Sequence, residues 1–305
     1  MHTPDIMSSN PQSRFGLYVR QMRAYQWVKN LLILLPPMLA HRISDPGVFA
    51  SAVLGFLSFS AIASAVYILN DIVDVENDRA HPRKQFRPLA SRAITMQSAI
   101  AMVVVLLATG VGVAVAYLPF EFVLCLLTYM VVTTVYSFTL KRIVLVDAIT
   151  LSVLYTLRIV AGGAATHIEV SEWLLGFSLF MFMSLAFLKR YVELLDTIER
   201  DGRTVSGRGY HVGDSQFVLV AGAALGYVGV LVFTLYVNAP HVQVLYHRPK
   251  LLWLCVPTIV YWISHVWLSA HRGVMHDDPI VFAARDVRSW AAGLVAVAIV
   301  VAASL

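Results

Sequence analysis

The chain has 305 residues, of which 58% are hydrophobic and 13% charged, where a soluble globular domain has about 45–50% apolar and about 25% charged residues. That balance excludes a soluble domain as the whole account and points to a bilayer. The formal net charge of +5 is of the kind that Lys- and Arg-rich cytoplasmic loops give a membrane protein, so no nucleic-acid partner is expected. Residues 1–14 are polar, and no short apolar run with a small-residue cleavage site comes after them, so no cleaved leader is expected. Residues 1–21 read as a cytoplasmic or interfacial N-terminal segment. The stretch 14–29 mixes basic and aromatic side chains, as an interfacial helix does, or as an extension of the first span would. A crossing helix needs about 20 apolar residues. By that rule the spans fall at 22–40, 49–69, 94–117, 120–138, 143–164, 172–188, 216–238, 249–269 and 287–304. The expected fold is therefore all-α, a polytopic bundle of about nine transmembrane helices in one domain over residues 1–305. Pro36 and Pro37 interrupt the first span. Cys125 and Cys255 both lie inside apolar spans and read as small buried hydrophobes, not as a disulfide or metal pair.

Basic residues set an orientation. Arg79, Arg83, Lys84, Arg87 and Arg92 follow the second span; Lys141 and Arg142 the fourth; Lys189, Arg190, Arg200, Arg203 and Arg208 the sixth; and Arg272, Arg285 and Arg288 the eighth. The odd connections are poor in such residues, apart from Arg248 and Lys250. The bias predicts a bacterial inner-membrane protein with the N-terminus and the even connections in the cytoplasm and the C-terminus outside.

Chemistry-bearing residues gather where the second span ends. The run NDIVDVENDRAHPRKQFRP at 70–88 opens with Asn70, Asp71, Asp74 and Asp78. On a helix, 71, 74 and 78 share one face, and like charges so close repel unless a cation joins them. Oxygen ligands shared with substrate phosphates are how Mg²⁺ is typically held, and Arg79, Lys84 and Arg87 suit phosphate oxygens. A solvated acidic helix end followed by cytoplasmic basic residues would explain the cations but not the acidic face. Arg158 falls well inside the fifth span. A charge there costs about 2.5–3.5 kcal/mol on insertion scales, so it is expected to bind a phosphate or carboxylate at a cavity floor. Asp147 is a conceivable partner for it, although eleven residues separate them. Lys29, next to Asn30, either faces the same bundle or snorkels to the interface.

The NDxxDxxxD pattern of Asn70, Asp71, Asp74 and Asp78, at the end of the second of nine spans, resembles the first aspartate-rich motif of the UbiA prenyltransferase superfamily. The resemblance covers spans one to nine and implies a Mg²⁺ cofactor and a diphosphate substrate at that motif. Aromatic-substrate members carry a second aspartate-rich run after span six. Here that place reads LKRYVELLDTIERDG. The KRYxEL run is similar to the decaprenyl-phosphate phosphoribosyltransferase branch, as are QWVKN at 26–30, AVYILNDIVDVENDRAHPRKQFRPLA at 65–90, LRIVAGGAAT at 157–166 and FAARD at 282–286. Alone, KRYVEL could be a basic helix end with an ordinary Lys–Glu pair.

That branch implies transfer of 5-phosphoribose from phosphoribosyl diphosphate to a polyprenyl phosphate, feeding lipid-linked arabinose for glycan or glycolipid arabinosylation, a nodulation signal among the end uses. It also implies that Lys189, Arg190 and Tyr191 meet substrate, and that Glu193 holds ribose hydroxyls or a second metal. The other expected partner is the lipid bilayer, and a homo-oligomer is compatible with the sequence. The rival enzyme reading is an aromatic prenyltransferase using a polyprenyl diphosphate, with Asp196 and Asp201 as its second site. A transporter is the more distant rival, disfavoured because the acids cluster at one face and no internal repeat is visible. Two weaker clusters remain. His271, His276, Asp277 and Asp278 in HRGVMHDDP at 271–279 resemble metal ligands by type, but they follow a span and precede Pro279, as a plain polar loop does. The glycines at 202, 207, 209 and 213 with Arg203 and Arg208 could cradle a phosphate, but they follow no strand, so they form no P-loop; a loop of this kind can close over a site as a lid.

Overall fold

The computed structural model describes residues 14–80, 84–200, 202–205, 207–275 and 278–305. Residues 1–13, Arg83, Asp201, His276 and Asp277, all of which carry expectations from the sequence analysis, lie outside the described residues. The chain opens with α1 (Arg14–Gln21), which stands apart from the next helical segment because Arg23 turns the backbone at φ 53°. A 3₁₀ segment, Ala24–Leu34, runs into α2 (Leu35–Leu39), where Pro36 and Pro37 occupy the first turn. Proline is tolerated in that turn because its missing N–H would have had no partner there. The helices α3 (Pro46–Val73), α4 (Val75–Ala80), α5 (Met96–Tyr117), α6 (Phe120–Phe138), α7 (Val146–Thr166) and α8 (Glu172–Glu199) come next. The last part of the chain forms α9 (Ser215–Val237), α10 (Pro240–Leu245), α11 (Cys255–His271), α12 (Pro279–Arg285) and α13 (Val287–Ser304). There is no strand among the described residues, only a single bridge between Thr204 and His211.

Among the described residues, eight helical stretches are long and apolar enough to cross a membrane: α3, α5, α6, α7, α8, α9, α11 with the turn before it, and α13. The ninth expected span, 22–40, is the 3₁₀ segment with α2 instead of one α-helix. A 3₁₀ helix rises about 2.0 Å per residue and an α-helix about 1.5 Å. Eleven residues of the first and five of the second therefore reach about 30 Å, the thickness of the hydrocarbon core. This segment packs between α3 and α7. It meets α7 so closely that a Cβ on Gly162 would stand 2.2 Å from the Ile33 carbonyl oxygen. A second tight crossing joins α9 to α8 and α11, where a Cβ on Gly222 would stand 2.5 Å from the Trp267 ring. Small residues that let backbones approach are how helices associate in lipid. Large apolar side chains such as Val104, Val131, Leu231 and Val297 stay exposed on the outside of the bundle. This is a multi-pass membrane protein.

Alternation of the helices brings the C-terminal ends of α3, α6, α8 and α11 together with the N-terminal ends of α5, α7, α9 and α13. The basic and acidic motifs all fall at that end. At the other end Ser304 meets His41 and His247, 3.4 Å from the first and with its carbonyl oxygen 2.8 Å from Nδ1 of the second. The chain terminus and the acids therefore lie at opposite ends of the bundle. The helix α8 extends past its expected limit of 188 to Glu199, so KRYVEL is helical and the connection after it starts at residue 200.

Candidate active site

A cavity of about 380 Å³ opens among α3, the 3₁₀ segment, α6, α7 and α8. Its lining includes nine cationic side chains, Arg23, Lys29, Lys84, Arg87, Lys141, Arg158, Lys189, Arg190 and Arg208, against three carboxylates, Asp71, Asp74 and Asp278. A larger crevice of about 550 Å³ runs along α8, α11 and α13, lined by Met181, Trp262, Trp290 and Val297 among others. Its walls are apolar and carry no reactive group, so the polar cavity is the candidate site.

The first aspartate-rich motif forms the α3 side. The helix does not run through it. Instead α3 stops at Val73, Asp74 is its C-cap, and α4 starts at Val75. The three acids therefore do not share one continuous helix face. Asp71 and Asp74 line the cavity, whereas Asp78 is buried to 2% exposure and faces Arg87. The Arg87 Nη1 lies 3.0 Å from Asp71 and 2.5 Å from Asp78, and Lys84 reaches to 4.0 Å from Asp78. Asp71 also accepts from Arg23 at 2.5 Å and from Gln21 at 3.0 Å. The left-handed turn at Arg23 thus carries that guanidinium onto the motif. Asn70 lines the cavity and donates to Ser137 on α6 at 3.0 Å. Arg79, expected on phosphate, pairs with Glu76 at 2.6 Å and does not line the cavity.

No group of three or more metal-ligating side chains is preassembled among the described residues. That arrangement still fits Mg²⁺, which is usually held by one or two carboxylates with water and substrate phosphate completing its shell. Asp71 and Asp74, both on the cavity wall, are the residues suited to that role.

The floor is built by α7. Arg158 donates to Asn30 Oδ1 at 2.9 Å, to the Leu154 carbonyl at 2.5 Å and to the Tyr129 hydroxyl at 3.2 Å. Its guanidinium also stands 4.9 Å from the centre of the Tyr129 ring, 5.3 Å from that of Tyr155 and 5.4 Å from that of Phe59. No carboxylate pairs with it among the described residues. The conceivable pairing with Asp147 is not made: Asp147 faces Arg190, Arg208 and Tyr210, because eleven helical residues put it three turns away. A buried cation with only neutral partners is a ready anion site. Lys29 reaches over the Tyr155 ring at 5.8 Å and lines the same cavity.

The α8 side carries the KRYVEL residues. Lys189 lines the cavity and pairs with Asp278 at 2.7 Å. Burial pushes the Asp278 carboxyl up, but Lys189 and then Lys29 outweigh it and hold the group below its ordinary value. The loop at 271–279, read from sequence as plain, thus sends Asp278 to the site while the same residue caps α12. Arg190 is 1% exposed and lines the cavity. Glu193 is not on the lining. It pairs with Arg190 and, at 3.4 Å, with Arg208. Tyr191 bonds to His271 Nδ1 at 3.0 Å, away from the cavity. Asp196 is half exposed and paired with Arg200. Sequence reasoning missed Arg23, Tyr129 and Tyr155 as cavity residues, and nothing in their local patterns marks them; Arg208, which the glycine-rich loop marks as a phosphate cradle, does line the cavity.

The model of the UbiA prenyltransferase family matches residues 33–284. An uncharacterized protein of Sinorhizobium fredii is 39% identical over 93% of this chain, and the chain spans only 55% of that protein's length. Nodulation protein NoeC of Azorhizobium caulinodans is 34% identical over 89% of this chain and 88% of its own. Decaprenyl-phosphate phosphoribosyltransferase of Mycobacterium tuberculosis is 35% identical over 66% of this chain and 67% of its own. Among solved structures, a UbiA homolog from Archaeoglobus fulgidus bound to GPP and Mg²⁺ superposes with a TM-score of 0.65 at 16% identity, covering 93% of this chain and 97% of that one.

Proposed function

Because this chain belongs to the UbiA prenyltransferase family, we propose that it works on a diphosphate in the polar cavity, and that the reaction is transfer of 5-phosphoribose from phosphoribosyl diphosphate to a polyprenyl phosphate. The observation that carries this reading is the charge of the lining, nine cations against three carboxylates. Such an excess suits two substrates that are both phosphorylated. An aromatic prenyltransferase would need a second carboxylate cluster for its one diphosphate, and Asp196, the described acid of that stretch, turns to Arg200 instead. The likeness to the Mycobacterium tuberculosis phosphoribosyltransferase supports the same choice.

In the proposed reaction a phosphate oxygen of the lipid bonds to ribose C1 as the C1–O bond to diphosphate breaks, and diphosphate leaves with the electron pair. The attacking oxygen is already anionic at neutral pH, so no side chain has to take a proton. Mg²⁺, when bound, neutralises charge on the leaving group. Asp71 and Asp74 would hold that ion, and Arg23, Lys84 and Arg87 on the same side neutralise diphosphate oxygens. Arg158 and Lys29 receive a phosphoryl group at the floor. The lipid tail leaves past Phe182 and Leu185, which line a narrow extension of the cavity beside Lys29 and Ile280. The Lys and Arg bias of the even connections supports a cytoplasmic site, where a soluble sugar diphosphate is available.

The test is incubation of purified protein with radiolabelled phosphoribosyl diphosphate and decaprenyl phosphate. Label should pass to the lipid fraction with release of diphosphate. Product from 4-hydroxybenzoate and a polyprenyl diphosphate, with none from the first pair, would transfer the assignment to the aromatic reaction.

A further inference from the structure

We infer that Arg190 and Arg208 form a phosphomonoester subsite on the α7–α8 side of the cavity, apart from the aspartate-rich motif, and that Asp147 is its positioning residue. The inference rests on the phosphoribosyl-transfer reading and adds to it where a second phosphoryl group binds. Asp147 is fully buried. It accepts from the Tyr210 hydroxyl at 2.7 Å and from Arg208 Nη1 at 3.4 Å, and its Oδ2 lies 2.8 Å from Arg190 Nε. Glu193 meets both guanidinium groups from the other side. Arg208 comes from the connection after α8 and is also fixed by the Tyr136 hydroxyl at 3.1 Å. The Tyr210 hydroxyl in turn accepts from the Leu145 amide at 3.0 Å, closing the cluster on the start of α7.

These contacts hold both guanidinium groups but leave donors over. The Nε and Nη2 of Arg190 are both buried without a hydrogen-bond partner among the described residues, and Nε is engaged only as an ion pair with Asp147. An arginine 1% exposed and set in a cavity wall does not keep an idle donor without cost. The two carboxylates cancel most of the charge from behind, so the donors facing the cavity act through direction. Two planar guanidinium groups in a fixed setting suit the oxygens of a phosphate monoester. Both proposed substrates carry one, the 5-phosphate of the sugar and the phosphate of the lipid.

The experiment is calorimetric titration of the full chain in lipid nanodiscs with ribose 5-phosphate, decaprenyl phosphate and pyrophosphate in turn. Arg208→Gln should weaken at least one of the two monoesters by about 10- to 150-fold, the worth of one hydrogen bond to a charged group, and leave pyrophosphate within about threefold. The monoester that loses affinity identifies the source. Arg208→Lys should keep part of the affinity, and Asp147→Asn should repeat the selective loss without touching the ligand. Equal weakening of all three ligands, or of none, would overturn the subsite; if Asp147→Asn does not fold, Arg208→Gln decides. Failure of the parent reading is distinct. Wild-type protein that binds decaprenyl phosphate through Arg208 but does not bind phosphoribosyl diphosphate would keep the subsite and remove the donor.

Discussion

Replacing Arg158 by methionine separates ligand binding from support of the fold. Methionine is unbranched and fills much of the volume of the arginine stem, while removing the charge inside α7. Two effects on stability oppose each other. Asn30 and Tyr129 lose a donor that now lies 2.9 and 3.2 Å away, at about 1–3 kcal/mol for a polar group left without a partner. The buried charge itself disappears, and replacing buried ions by apolar residues is often neutral or stabilising by about 1–4 kcal/mol. The midpoint of thermal unfolding should therefore move by only a few degrees. Binding has no such offset. A phosphate at the floor loses one hydrogen bond to a charged group, about 1.5–3 kcal/mol, which is about 10- to 150-fold in affinity at about 1.4 kcal/mol per decade. Arg158→Lys should recover part of that, since an ammonium keeps the charge but not the fork. The assay is KM for each phosphorylated substrate, with a parallel thermal melt in detergent. Unchanged KM values with a collapse of the melting midpoint would refute the reasoning and make Arg158 a strut.

Asp71→Asn and Asp74→Asn should each abolish most transfer while leaving expression intact. Chelation should stop turnover and Mg²⁺ restore it; full activity after chelation and desalting would rule these two residues out as ligands. Asp78→Asn should act mainly through Arg87, seen as a smaller activity loss that does not respond to added Mg²⁺. The depressed pKa of Asp278 means its pair with Lys189 is formed above the ordinary carboxylate range and is lost only as pH falls through a value below about 3.9. The melting difference between wild type and Asp278→Asn should hence stay constant from about pH 8 to pH 5 and shrink only in stronger acid; a difference that vanished near pH 6 would contradict it. Reporter fusions should read cytoplasmic near Gly207 and external after Leu305, and the reverse pair of results would put the cavity on the wrong side of the membrane.

The long apolar spans were legible because the bilayer demands about 20 apolar residues per helix, and the ends of α5, α6, α9 and α13 follow that rule within about two residues. The first span misled because two prolines and an eleven-residue 3₁₀ run cross the same thickness with fewer residues. Asp71 and Asp74 were legible from spacing. The break at Asp74 was not, since the spacing of the acids is the same whether the helix runs through Asp74 or stops there. Arg158 was legible through its cost in an apolar span, but its aromatic cage draws on Tyr129 and Phe59, which other helices supply from far along the chain. The eleven residues between Asp147 and Arg158 already spoke against their pairing, but nothing along α7 announces the actual partners, Arg190 on α8 and Arg208 on the connection after it. Asp278 was visible only as one of a cluster of metal-type side chains that reads better as a polar loop, because a polar loop and a cavity wall have the same composition.

The tight meeting of Ile33 and Gly162 has a mechanical meaning. With no room for even a methyl group between them, the 3₁₀ segment and α7 can neither slide nor rotate past one another without separating. Lys29, Asn30 and Arg158 are therefore carried on a single stiff frame, and the floor of the cavity keeps its shape whatever binds. Any gate that admits a bulky lipid has to open elsewhere, around α12, where the polar anchor Asp278 is a side chain paired with Lys189 instead of a backbone-to-backbone joint.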